Sequence, residues 1–173
     1  MKSQIKNYTS NVPVERTVAE IEARLASIGA NSVTKNYGPD ARIAALLFNI
    51  EVGNRCYVIR LPANSKACFE AMWKEHCKHA ARIHPTAKER IAEQADRTAW
   101  RLVQNWVDVQ VSLIVMRQAE WLQVFMSYVY DGDKQETIYD FAKANDFKML
   151  PYTPLAETKQ LAESVACVYN VGS

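Results

Sequence analysis

The chain has 173 residues, 49% hydrophobic and 23% charged, with a formal net charge of +2, which suits a single domain over residues 1–173 whose core needs no metal or disulfide. No stretch approaches the ~20 apolar residues that span a bilayer, and the first residues lack the apolar run of a signal peptide, so the expectation is a cytoplasmic protein without membrane contact. Cys56, Cys68, Cys77 and Cys167 form no CxxC framework, which leaves them as reduced, structural thiols.

The first predicted element is a helix over 17–28. Thr17-Val18-Ala19-Glu20 reads as a capping box, Val18, Ile21, Leu25 and Ile28 share one face, and Gly29 supplies a left-handed end. Alternating sequence then predicts strands over 31–37, 42–52 and 55–61. They are joined by Gly38-Pro39-Asp40 and by the hairpin pair Gly53-Asn54, and closed by Pro62. In the second strand Ala44, Leu46, Phe48, Ile50 and Val52 fall on one side, and Ile43, Ala45, Leu47 and Asn49 on the other. Residues 17–62 are thus a helix plus a small antiparallel sheet.

Residues 64–146 read as the helical part. Phe69, Met72, Trp73 and His76 follow helical spacing, the helix ends before Pro85, and Thr86-Ala87-Lys88-Glu89 is a second capping box. Between Pro85 and Gly132 lie 46 residues without glycine or proline. As one helix, 86–130 would run about 65 Å at about 1.5 Å per residue, against a radius of gyration near ~16 Å for a compact chain of this length. The segment therefore bends, breaks into two helices, or finds a partner. Ile91, Ala95, Ala99, Leu102, Trp106, Val109, Leu113 and Met116 form its apolar stripe at steps of three and four, and valines and leucines surround the helix between 106 and 116, which predicts that this part lies deepest in the core. Asp131-Gly132-Asp133 predicts a turn with Asp133 capping a helix over 134–144. Thr153-Pro154 opens a last helix over 154–166 in the C-terminal segment 147–173. The fold class is α+β: an N-terminal helix, a three-stranded meander, a long helix or helical hairpin, and short C-terminal helices.

Catalytic signatures are missing. There is no GxSxG, HExxH or glycine-rich phosphate loop, and the glycine between Asp131 and Asp133 makes them a turn rather than a carboxylate pair. Cys68, His76, Cys77, His79 and His84 have metal-ligand chemistry, but no second pair at zinc spacing accompanies them; they read as a helix end, with no metal or cofactor implied. Charge is the stronger signal. Residues 54–101 carry ten Lys/Arg against five Asp/Glu, and 102–146 carry three against seven. A basic sheet edge and helix interleaved with aromatics suits single-stranded nucleic acid, with phosphates neutralised and bases stacked. Arg55, Arg60, Lys74, Lys78, Arg82, Arg97 and Arg101 are the candidate phosphate contacts, and Trp100 the candidate stacking residue. The element order is also broadly similar to the core of single-strand annealing proteins, an analogy of fold alone.

Ala19-Glu20-Ile21-Glu22 with Gly29-Ala30, Leu61-Pro62 after a hairpin, Arg97-Thr98-Ala99-Trp100-Arg101 and Leu150-Pro151 resemble small proteins encoded by tailed phages and prophages. The resemblance covers residues 15–152 and implies a virus-derived protein acting inside a bacterial cell, with no activity to carry over. The leading expectation is a non-catalytic nucleic-acid-binding protein of phage DNA metabolism. The second is an inhibitor that binds a host defence or replication protein through an acidic face around Asp108, Glu120, Asp131, Asp133 and Asp140. The long helical segment predicts a homo-oligomer under either reading.

Overall fold

Pro13 decides where the first helix begins. Its extended backbone, φ −58° and ψ 149°, precedes α1 (Val14–Ala26) and brings no side-chain cap. The expected start at Thr17 is therefore three residues late. Thr17 lies one turn inside the helix, buried, with its hydroxyl donating to the Pro13 carbonyl at 3.2 Å. Glu20, released from the expected capping role, turns toward another helix. Gly29 is left-handed as expected, at φ +98°, but α1 ends at Ala26 rather than at 28, and the N–H groups of Ala30 and Gly29 bond the Leu25 and Ala26 carbonyls, a Schellman arrangement.

The computed structural model describes residues 7–79 and 84–151, which fall into two compact units, one within Met1–Ile138 and one within Tyr139–Ser173. The expected helix over 154–166, Arg82 and Cys167 lie outside the described residues.

Three strands, β1 (Ser32–Tyr37), β2 (Ile43–Val52) and β3 (Arg55–Pro62), form an antiparallel meander in that order. Gly53 takes φ +61° at the β2–β3 turn. The β1–β2 turn places Ala41 at φ +57°, and a bulge follows: Tyr37 faces Ile43 while Asn36 faces Ala45, so Ala44 is the extra residue. The bulge breaks the simple alternation expected for β2. Ala44 is exposed, whereas Ile43 joins Leu46, Phe48 and Ile50 in the core.

One face of the sheet, with Leu46, Phe48, Ile50, Ile59 and Leu61, buries Val18, Ile21 and Leu25 of α1 and Trp100, Val107 and Val111 of the long helix α3 (Ala87–Val115). Phe125 completes this core. Before α3, α2 (Ser65–His79) starts where Asn64 accepts the Ala67 N–H at 3.0 Å. Met72 of α2 packs with Ile91 and Ala95 of α3 as a smaller cluster that includes Phe69 and Trp73. The Gln94 amide holds the chain before α1, donating to the carbonyls of Tyr8 and Ser10 at 2.9 Å each. The second expected capping box does not form. α3 starts at Ala87 as expected after Pro85, but the Thr86 hydroxyl pairs with the His84 ring at 2.9 Å instead.

The long segment breaks. Arg117 adopts φ +56°, and the N–H groups of Gln118 and Arg117 bond the Leu113 and Ile114 carbonyls, a Schellman end without glycine. Glu120 and Gln123 then form a capping box for α4 (Trp121–Phe125), followed by a single 3-10 turn over Met126–Tyr128. Val129 bridges to Ile59 of β3, and β4 (Tyr130–Asp131) pairs with β5 (Glu136–Thr137). Asp131 organises this hairpin by accepting the N–H groups of Asp133 and Lys134, so residues 134–137 are not helical as expected. α5 (Ile138–Ala144) follows, and within the second unit the chain turns at Asp146 and Phe147, both at positive φ.

Candidate functional site

A helix packed on one side presents one apolar stripe and one polar side. α3 departs from this in its C-terminal half, where apolar residues occupy two opposite faces. Trp100, Gln104, Val107 and Val111 are buried toward the sheet and α1. Leu102, Trp106, Val109, Leu113 and Met116 lie half a turn away. Val109 is 57% exposed and Met116 68%, while Leu102, Trp106 and Leu113 are half-buried. The expectation that 106–116 lies deepest in the core is thus corrected: one face does, and the opposite face is open. The variety of directions taken by the valines and leucines reflects two surfaces rather than one deep burial.

Trp106 anchors the open face. Its ring meets Phe125 edge-on at 5.5 Å and Tyr128 at 5.2 Å, which holds it in place from the α4 side. Beside it an apolar groove of about 180 Å³ is lined by Leu61, Pro62, Leu102, Val103, Trp106 and Tyr128. Met126, 53% exposed, adds to the exposed apolar surface of the same unit.

Between the two faces runs a polar flank that clasps α1. Arg101 meets Glu20 at 3.1 Å and also bonds the Gln104 side chain, and Gln104 donates to the same Glu20 oxygen at 2.6 Å. Further along, Arg24 reaches Asp108 at 3.6 Å and the Ser112 hydroxyl at 3.4 Å. The hydrogen bond from Gln104, with further ones from Arg16 and Arg101, holds the Glu20 carboxyl below its ordinary value of 4.5.

The expected nucleic-acid residues are distributed over β3, α2 and α3 and have diverse surroundings. Trp100 is fully buried, with its indole N–H donating to the Ile43 carbonyl at 3.1 Å, so its ring offers no face to a base. Arg101 is engaged by Glu20. Arg97 is half-buried and donates to Gln94 at 2.7 Å. Arg60 lies on the sheet face opposite the core, its guanidinium 5.5 Å from the Tyr130 ring centroid. Lys78 pairs with Glu75 at 3.6 Å. Arg55 and Lys74 are exposed, the first at the start of β3 and the second on α2.

Arg97 lines a cleft of about 440 Å³ together with Arg42, Asp96, Tyr37, Glu15 and Glu93. Carboxylates outnumber guanidiniums there. Asp96 is committed to Ser65 at 2.6 Å and to Arg42 at 3.9 Å, a tie between α2, α3 and the β1–β2 turn. The acidic candidates also have local duties: Asp108 pairs with Arg24, Glu120 caps α4, and Asp131 shapes the β4–β5 turn. Among the described residues no three His, Cys, Asp or Glu side chains converge as metal ligands, and no helix is long and apolar enough to cross a membrane. Burial raises the Cys68 thiol above its ordinary value, whereas Cys56 and Cys77 are exposed.

Comparison with known proteins gives no match among family models, curated proteins or solved structures. The resemblance to phage-encoded proteins therefore rests on its short motifs alone.

Sequence reasoning found the right spacing but gave it the wrong surroundings. Leu102, Trp106, Val109, Leu113 and Met116, at steps of four, three, four and three, read as part of the buried stripe of the helix, whereas Val109 and Met116 are exposed. The series that is buried, Trp100, Gln104, Val107 and Val111, has the same steps and was passed over.

Proposed function

We propose that the chain is a non-catalytic protein-binding module that works through the open face of α3. The observation that carries this reading is the exposure of Val109 and Met116, in one row with half-buried Leu102, Trp106 and Leu113, on the side of α3 opposite Trp100, Gln104, Val107 and Val111. Exposed apolar surface of this kind, ordered along a helix and anchored by a half-buried tryptophan, is characteristic of recognition surfaces. In the bacterial setting that the phage resemblance implies, this is the class of protein that acts by occupying the surface of another. Cross-linking the tagged chain in bacterial lysate tests it. Products formed with any protein, including the chain itself, are expected to disappear when Val109→Glu and Met116→Glu are combined, with the circular dichroism unchanged. Products that persist in this variant overturn the reading.

A second reading, binding of single-stranded nucleic acid, is favoured by α2. Lys66 and Lys74 are exposed and without an ion-pair partner among the described residues, and Lys78 continues the row. Affinity for labelled single-stranded DNA is then expected to fall steeply with salt and to weaken in Lys66→Ala/Lys74→Ala. No binding at low salt eliminates it.

A further inference from the structure

Resting on the protein-binding reading, we propose that the occupant of the open α3 face is a second copy of this chain, which pairs through the same face to form a two-fold dimer. The first argument is the shape of the face. Steps of three and four residues are the pattern by which one helix receives another. α3 itself supplies the comparison, because its core-facing series, Trp100, Gln104, Val107 and Val111, has the same steps and packs against α1, whose Val18, Ile21 and Leu25 follow them too. The open series is a second seam of the same kind. What fits it is a helix, and a second copy brings one with the matching pattern.

The second argument is charge. A two-fold contact sets residues at its axis against their own copies and exchanges the others pairwise, so a charged group near the axis would meet its like. Between residues 102 and 116 the only charged residue is Asp108, and it is turned to Arg24 of α1. Residues bordering the seam include Asn105 and Gln110, neutral amides that both donate and accept and so can pair with identical groups. Charge is confined to the ends of the seam, where Arg101 is paired with Glu20 and Arg117 is exposed, so its middle offers little to a foreign partner chosen by charge and little to repel a copy.

The third argument is extent. The seam runs about 21 Å at about 1.5 Å per residue, which by itself falls short of a standard interface of about 800 Å² per partner. The groove beside Trp106, which Leu102 also lines, provides further apolar surface adjoining the seam. The dimer expected is one that dissociates on dilution.

Sedimentation velocity of the full chain across a dilution series tests the proposal. The expected result is a species of twice 19.7 kDa that gives way to monomer on dilution. Val109→Glu/Met116→Glu is expected to raise the midpoint of that transition at least about tenfold, whereas Val109→Leu/Met116→Leu is expected to leave it within about threefold. Both positions are more than half exposed, so the charged variant keeps its fold, as circular dichroism checks. A monomer at every concentration overturns self-pairing, as does a dimer indifferent to the charged variant. If the monomer still captures a different protein from lysate, and the charged variant does not, self-pairing fails while the protein-binding reading stands. If it captures nothing, both fail.

Discussion

Trp100 stands in a run of cations, beside Arg97 and Arg101, where an exposed ring would serve as a stacking platform. Its complete burial and its hydrogen bond to Ile43 make it instead a pin between α3 and the start of β2. Trp100→Phe keeps most of the packing but leaves the Ile43 carbonyl without its donor, and is expected to cost about 1–3 kcal/mol in urea denaturation. Trp100→Ala is expected to cost more, about 3–5 kcal/mol. Glu20 gives a different signature. Its folded carboxyl releases its proton more readily than the unfolded one, so its contribution is complete above the ordinary value of 4.5 and is lost as pH falls through the lower folded value. Melting temperatures of the wild type and Glu20→Gln should therefore differ at neutral pH and converge in acid. A gap that stays constant down to pH 3 would assign the effect to packing.

At the scale of elements, turns with glycine were legible and turns without it were not. The strand alternation, Gly53 and Gly29 made the meander and the end of α1 readable, because the periodicity and the left-handed residue both leave marks in sequence. The end of α3 leaves none: a left-handed arginine is written like any other helical arginine, and only the bonds from Arg117 and Gln118 back into α3 disclose it. Capping boxes misled for a related reason. Thr17 and Thr86 had the right neighbours, yet Pro13 and His84 reorganised the chain around them, while the box that does form opens with Glu120, an unusual choice. Arg117→Gly should remove the strain of the left-handed backbone and raise stability by about 1 kcal/mol, read from thermal melts. A lower melting temperature would mean that the arginine side chain compensates for its own backbone.

At the scale of the whole molecule, the α+β architecture followed from the order of the periodic segments, but the exposure of the second α3 face did not. Charge totals pointed to residues 54–101, and three dimensions distributed those cations among an ion pair with Glu20, a ring contact with Tyr130, and separate exposed positions. A count along the chain cannot distinguish an arginine that meets solvent from one that meets a carboxylate on another helix. The apolar pattern of α3 was equally visible and equally ambiguous, since one sequence carried both a buried and an open face.

That double pattern creates a degeneracy for folding. With two apolar series of the same spacing on opposite sides, α3 could rotate by half a turn and still present an apolar stripe to the sheet. Over residues 102–116 the apolar spacing does not discriminate between the two orientations, whereas Ile91 and Ala95 against Met72, and Trp100 bonded to Ile43, hold the part before it. The clasps do discriminate, because Glu20 finds Arg101 and Gln104, and Arg24 finds Asp108, only when Trp100 and Val107 face inward. Replacing Glu20 and Arg24 together by alanine should therefore do more than lower the melting temperature. It is expected to split or broaden the amide resonances of α3 as a rotated minor state becomes populated, whereas a single sharp set would mean that Trp100 alone sets the orientation. The polar flank of α3, modest as a source of stability, is in this view what carries that orientation through to the end of the helix.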